Sequence, residues 1–428
     1  MLAAALMGLS LFASSQGAAD TPQPPAPQAI LLQPAAVFDG VDGVVHKGWK
    51  VLVIGDHIAA VGPNPAAPAN ATTVELPGTT LLPGLIDAHV HLFLHPYDEA
   101  SWNDQVLKEP LALRTARATV AARATLMAGF TTVRDLGTEG AGYADVGLKA
   151  AINQGIIPGP RMVVATRALV ATGAYGPKGF DPGFDVPQGA EEADGPALVA
   201  AARRQIGRGA DVVKLYADYR WGAGEDSRPT FSIEEMRAVV DAAHAAGRLV
   251  AAHASTDEGI RRAVLAGVDT IEHGNEASAA TFALMKAHGT VYCPTLAASD
   301  AIERYRGWSG GLPEPASIVA KRASFAAALR SGVSICVGGD TGVFVHGRNA
   351  RELELMVAWG MAPREALLAA TSGNARAIGM SGKIGAIKPG QLADMVAVRG
   401  DPLHDITVLY APAMVMKNGD IVRPMTDR

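Results

Sequence analysis

The sequence predicts an α/β fold: a (β/α)8 TIM barrel with a small β-sandwich domain built from both chain ends. Three observations point there. Eight short apolar runs alternate with helical-looking segments between residues 82 and 340, and strand–helix units of that number close into a barrel. Short alternating runs with Gly and Asp turns lie on both sides of this stretch, as half-buried strands do. The chain has 428 residues and is 49% hydrophobic, ample for a large core.

Taken in order, residues 2–13 are apolar but too short to span a bilayer, and small residues follow at 14–19 before a proline-rich run through Pro27. This is the pattern of a secretory signal peptide, 1–19, and a linker, 20–28, although no Lys or Arg precedes the apolar stretch. The expectation is export, to the periplasm or outside the cell; without cleavage the segment is a cytoplasmic N-terminus. The first β flank, 29–82, contains Trp49-Lys50-Val51-Leu52-Val53-Ile54. The second, 384–428, contains Ala393-Asp394-Met395-Val396-Ala397-Val398. Two such flanks pair into one small sandwich beside the barrel, which occupies 83–383.

The barrel opens with Leu82-Pro83-Gly84-Leu85-Ile86-Asp87-Ala88-His89-Val90-His91. Side chains two apart on a strand share a face, so His89 and His91 project together from its C-terminal end. Imidazole is a common metal ligand, and two on one rigid strand need little ordering. The remaining candidate strands are 131–135, 161–166, 211–216, 249–253, 270–274, 290–296 and 334–340. Four of them place Lys214, His253, His273 and Asp340 at or near their ends, where a barrel of this type carries its reactive groups.

His89-x-His91, Lys214, His253, His273 and Asp340 together resemble the ligand set of the amidohydrolase superfamily. The resemblance implies two divalent metal ions. His89, His91 and Asp340 would hold one and His253 and His273 the other, with Lys214 bridging both as its carbamate (N6-carboxylysine). It also implies hydrolysis by hydroxide bridging the metals, with Asp340 moving the proton. Zinc suits N and O ligands, and manganese or cobalt would also fit. Gly385-Ala386-Ile387-Lys388-Pro389-Gly390 is similar to the family's usual return segment into the second flank.

Val213-Lys214-Leu215-Tyr216, Thr270-Ile271-Glu272-His273-Gly274 and Val345-His346-Gly347-Arg348-Asn349-Ala350-Arg351 resemble one branch of that superfamily. It includes Xaa-Pro dipeptidases, carboxypeptidase-like enzymes and bacterial ochratoxin-hydrolysing amidohydrolases. The implied substrate is a small N-acyl amino acid or dipeptide, ochratoxin A included, cut to release its C-terminal amino acid. The alternatives are an Xaa-Pro dipeptidase and a single-metal, imidazolonepropionase-like cyclic amide hydrolase, against which Lys214 argues. The branch also implies a homo-oligomer. To hold a free carboxylate, Tyr216 lies two residues beyond Lys214, and Arg220 four further, where a guanidinium can pair bidentately. The bland readings are a core aromatic and a surface charge. His346 and His95 are further substrate-contact candidates, each otherwise an ordinary histidine.

The long Gly- and Pro-rich loop 171–194 reads as a pocket-shaping loop, and the insertion 303–315 brings Tyr305 and Trp308 towards an aromatic-accepting pocket. A net charge of −5 without a basic stripe excludes nucleic acid as a partner class, and no segment predicts a membrane partner. Cys293 and Cys336 are the only cysteines; they read as two buried thiols, a bridge being allowed in an exported chain.

Overall fold

The computed structural model describes residues 28–425. The expected signal peptide, 1–19, and all but the last residue of the expected linker, 20–28, lie outside them. Among the described residues no helix is long and apolar enough to cross a membrane.

Leu85–Val90 pairs in parallel with Phe130–Asp135, and that strand with Arg161–Val164. A second parallel run follows through Leu169–Val170, Val212–Tyr216, Leu249–Ala254, Thr270–His273 and Val291–Cys293. The Asp211 amide donates to the Val164 carbonyl at 2.8 Å and links the two runs. Residues 334–341 join the far ends, bridging Tyr292 to Ile335 and Val90 to Thr341. The ring so formed is a mixed α/β fold of TIM-barrel type. Its helices pack outside by one face each: Ile233–Ala245 buries Met236, Val239, Val240 and Ala243, the i, i+3, i+4, i+7 spacing of an amphipathic helix. Its start is fixed by a capping box, in which the Ser232 hydroxyl accepts from the Glu235 amide and the Glu235 carboxylate from the Ser232 amide.

Several runs expected to be continuous strands are interrupted. The run 82–91 splits at Gly84, where a Cβ would stand 2.0 Å from Thr131 Oγ1; the chain there passes from the flanking sheet into the barrel. The third run breaks at Thr166, which has φ +65°, and the seventh gives way at Leu296 to the helix Leu296–Tyr305. The eighth, expected as strand 334–340, is held by bridges and single hydrogen bonds instead. Gly338 presses so closely on the first strand that a Cβ would lie 2.8 Å from His89 Cβ.

Both chain ends do meet, in one continuous eight-stranded sheet. The expected sandwich would stack two sheets. Here Thr72–Pro83 pairs in parallel with Ala29–Phe38 and antiparallel with Met395–Arg399, so the two ends share edges rather than faces. Leu32, Val51, Val53, Met395, Met414 and Met416 form a core on one side. Leu82, Val396, Val398 and Val415 point the other way, into the core of the barrel, as period-two alternation requires.

Candidate metal centre

Three side chains converge where the first strand meets the closing segment. His91 Nε2 lies 3.3 Å from His89 Nε2 and 3.2 Å from Asp340 Oδ1, and His89 Nε2 lies 3.6 Å from the same oxygen. All three residues are buried. Partners on the far side of each ring fix which nitrogen faces the centre. His89 Nδ1 is 2.9 Å from Glu272 Oε2 and His91 Nδ1 is 2.7 Å from the Gly137 carbonyl; both partners only accept, so both Nδ1 atoms donate. The two Nε2 lone pairs then face each other and a carboxylate, an arrangement that requires a positive centre. That centre is a proton or a cation. Without an ion, burial would lower His91, but the Asp340 hydrogen bond and the charges of Asp340, Glu139 and Asp135 together outweigh it and push His91 up to about 9. Asp340 itself is held low: burial favours its neutral form, but His89, His91 and Lys214 more than offset it. The donor set fits a divalent metal ion, whose binding would displace that proton.

His253 and His273 face each other at 4.5 Å between ring centroids, and His273 lies 5.2 Å from His89. Burial, with the Lys214 charge nearby, holds both well below the ordinary histidine range. They are therefore neutral and have lone pairs to offer. His273 Nδ1 is fixed by Thr295 Oγ1 at 2.8 Å, and the His253 ring stacks on Tyr216 at 4.4 Å. Burial pushes the Lys214 amine down to about 8, against the pull of Glu272 and Asp340. A buried amine so depressed gives up its proton more easily than a free lysine does.

Beneath the histidines is a buried ion pair that sequence reasoning missed. Arg134 Nη2 donates to Glu272 Oε1 at 2.8 Å, and its Nε donates to the Ala88 carbonyl at 2.6 Å. The pair anchors Glu272, which in turn orients His89. Asp87 does similar work across the ring's closure, accepting from the amides of His89 and Gly339 and from Asn349 Nδ2. Backbone strain gathers at the same level. Glu139, Thr166, His273, Thr295 and Asp340, all close to the C-terminal ends of strands, have positive φ, which costs energy and is typical of functional sites.

Above the centre is a cavity of about 240 Å³, lined among others by His91, His253, His273, Asp340, Tyr216 and Glu139. An outer cavity, sharing Tyr219 with the inner one, adds Trp102, Arg220 and Arg306. Tyr216 thus faces the inner space, and Arg220, over the Tyr219 ring at 5.5 Å, the outer. Tyr175 of the long loop 171–194 lines both. His95 and His346 line neither. His95 is sandwiched between Glu99 and Glu109, each at 2.9 Å, and His346 Nε2 donates to the Leu94 carbonyl at 3.0 Å. Tyr305 and Trp308 do not reach the site either: Tyr305 lines a separate cavity and Trp308 Nε1 donates to the Gly311 carbonyl. Their stretch contributes Ile302 and Arg306 instead. Cys293 and Cys336, expected as thiols, form a disulfide with Cα atoms 4.8 Å apart.

A sequence profile described as the amidohydrolase family matches residues 80–422. Ochratoxinase of Aspergillus niger is 32% identical over 399 residues, covering 85% of this chain and 80% of that protein. Among solved structures, a Xaa-Pro dipeptidase with methionine bound in its active site is 31% identical. It has a TM-score of 0.81 and covers 92% of this chain and 99% of its own. A prolidase complexed with N-methylphosphonate-L-proline, also 31% identical, has a TM-score of 0.80 with 93% and 100% covered.

Proposed function

This chain belongs to the amidohydrolase family, and from that premise we propose that it is a binuclear metal-dependent hydrolase that releases the C-terminal amino acid from N-acyl amino acids or dipeptides. Ochratoxin A, giving ochratoxin alpha and L-phenylalanine, is a candidate substrate. The observation that carries the reading is the convergence of His89, His91 and Asp340 close to His253 and His273, four of the five lining one cavity, with a depressed Lys214 buried nearby. The first three residues would hold one divalent ion, zinc by donor type, and the second pair another, with a Lys214 carbamate between them. Bound there, the ions would polarise the amide carbonyl and make hydroxide available near neutral pH. Asp340 would take the proton from the attacking water and pass it to the departing amine nitrogen. Tyr216 would bound the reacting carbonyl, and Arg220 would hold the free carboxylate of the leaving amino acid. In this reading the barrel, 83–383, holds the active site beside a domain made from 29–82 and 384–428. The Cys293–Cys336 bridge suits export of the chain.

The test compares metal-loaded and chelated protein on N-acyl-phenylalanines, ochratoxin A and Xaa-Pro dipeptides. Metal-dependent release of the C-terminal amino acid is expected; no release from any of them with metal bound would overturn the proposal. Arg220→Ala should raise KM about tenfold or more for substrates with a free carboxylate and leave their carboxamides nearly unchanged.

A further inference from the structure

Glu139 is a buried carboxylate, 3% exposed, in the wall of the inner cavity. One oxygen is fully engaged: Oε2 accepts from Trp102 Nε1 at 3.0 Å and from the Tyr175 hydroxyl at 2.5 Å. The other, Oε1, is buried and has no hydrogen-bond partner. The nearest imidazole nitrogen, His91 Nδ1, is 3.9 Å away and already donates to Gly137. The buried Arg114 brings its charge near but makes no hydrogen bond to Oε1, because that guanidinium donates to the carbonyls of Phe93, Thr138 and Glu139. The residue is also held at φ +48°, a conformation a glutamate adopts at a cost. A buried charge left half-bonded beside a polar cavity is expensive unless a ligand completes it.

We propose that Glu139 Oε1 receives the free α-ammonium group of an unblocked dipeptide, so that the enzyme prefers dipeptides to N-acyl amino acids. The inference rests on the proposed function and sharpens its substrate class. The geometry accounts for the placement. The α-ammonium is separated from the scissile carbonyl by a single carbon, and Glu139 Oε1 lies against the back of the His91 ring, whose front faces the centre. A simple N-acyl group carries no donor at that position and would leave Oε1 without a partner.

The decisive pair is L-Ala-L-Phe and N-propionyl-L-Phe, which differ at the α-carbon only by the ammonium group. With metal-loaded wild type, kcat/KM for the dipeptide should exceed that for its desamino analogue by about tenfold or more, the worth of one charge-assisted hydrogen bond. In Glu139→Gln that ratio should collapse towards one through loss of dipeptide activity, while N-propionyl-L-Phe is cut as well as before or better. A wild-type ratio near one, or a ratio preserved in Glu139→Gln, would overturn the assignment. So would an equal loss on both compounds, which is what a purely structural role predicts. If neither compound is cut, the choice of phenylalanine as leaving amino acid, not Glu139, is at fault. The ratio of their Kd values by calorimetry, in wild type and variant, then judges Glu139 by the same criteria.

Discussion

Glu272 does not line the cavity, yet it fixes how His89 is presented to it. Its Oε2 fixes the His89 tautomer while its Oε1 pairs with Arg134. Outer partners of this kind are worth about 10–100-fold in metal affinity. Glu272→Gln should therefore weaken metal binding by that factor in a chelator competition, with His89 still in place. The same residue carries a pH signature. Burial would raise its pKa, but Arg134 and His89 outweigh burial and lower it to about 2. A folded pKa below the unfolded value means the unfolded chain binds the proton more readily. The stabilisation is thus complete above the ordinary glutamate pKa of about 4.3 and fades as pH falls towards 2. Denaturant unfolding should show the gap between wild type and Glu272→Gln widest at pH 7 and closing over that interval. A gap independent of pH would mean that the ion pair does not act through its charge.

At the scale of elements, the strand ends matter more than the strands. The closing segment approaches the first strand so tightly that a methyl group on Gly338 would meet His89 Cβ at 2.8 Å. Overpacking of this kind costs about 1–3 kcal/mol. Gly338→Ala should show a lowered unfolding midpoint together with reduced metal content per chain; full metal content would mean that the backbone yields elsewhere. These ends also divide what was legible in the sequence from what was not. Period two alone placed His89 beside His91, and a run of strand ends brought Asp340 to the same point. The interruptions at Thr166 and Asp340 were not legible, because left-handed backbone at a non-glycine residue is imposed by tertiary packing and leaves no mark in composition. Glu139 escaped for the same reason: after Gly137-Thr138 it reads as a solvated turn residue, and only φ +48° turns it inward. His95 and His346 misled in the opposite sense. Each lies near a strand end in sequence, but carboxylates hold both ring nitrogens of His95, the Leu94 carbonyl holds Nε2 of His346, and neither lines the two cavities.

Across the whole molecule, the described chain begins and ends in the same sheet. Alternation in Met395–Arg399 makes that sheet two-sided, with Met395 feeding its own core and Val396 feeding the barrel's. Such a pairing of distant segments is visible in sequence only as two β-rich flanks, which is why an eight-stranded sheet could be taken for a sandwich. The disulfide acts at this scale too. It spans 43 positions, and closing a loop of that length in the unfolded chain is worth up to about 4 kcal/mol. The double variant Cys293→Ala, Cys336→Ala should unfold at correspondingly lower denaturant, and an unchanged midpoint would show that the bridge does not form.

That bridge sits at the clasp of the hoop. Within each of the two parallel runs ladders hold the strands, but the last joint, residues 334–341, depends on a few single bonds, the Asp87 carboxylate and one pair of sulfurs. Asp340 rides on that joint. Any breathing of the clasp removes one arm of the His-His-Asp group, while the rest of the hoop stays intact. The protein should thus fall silent before it falls apart, its working life set by one irregular seam.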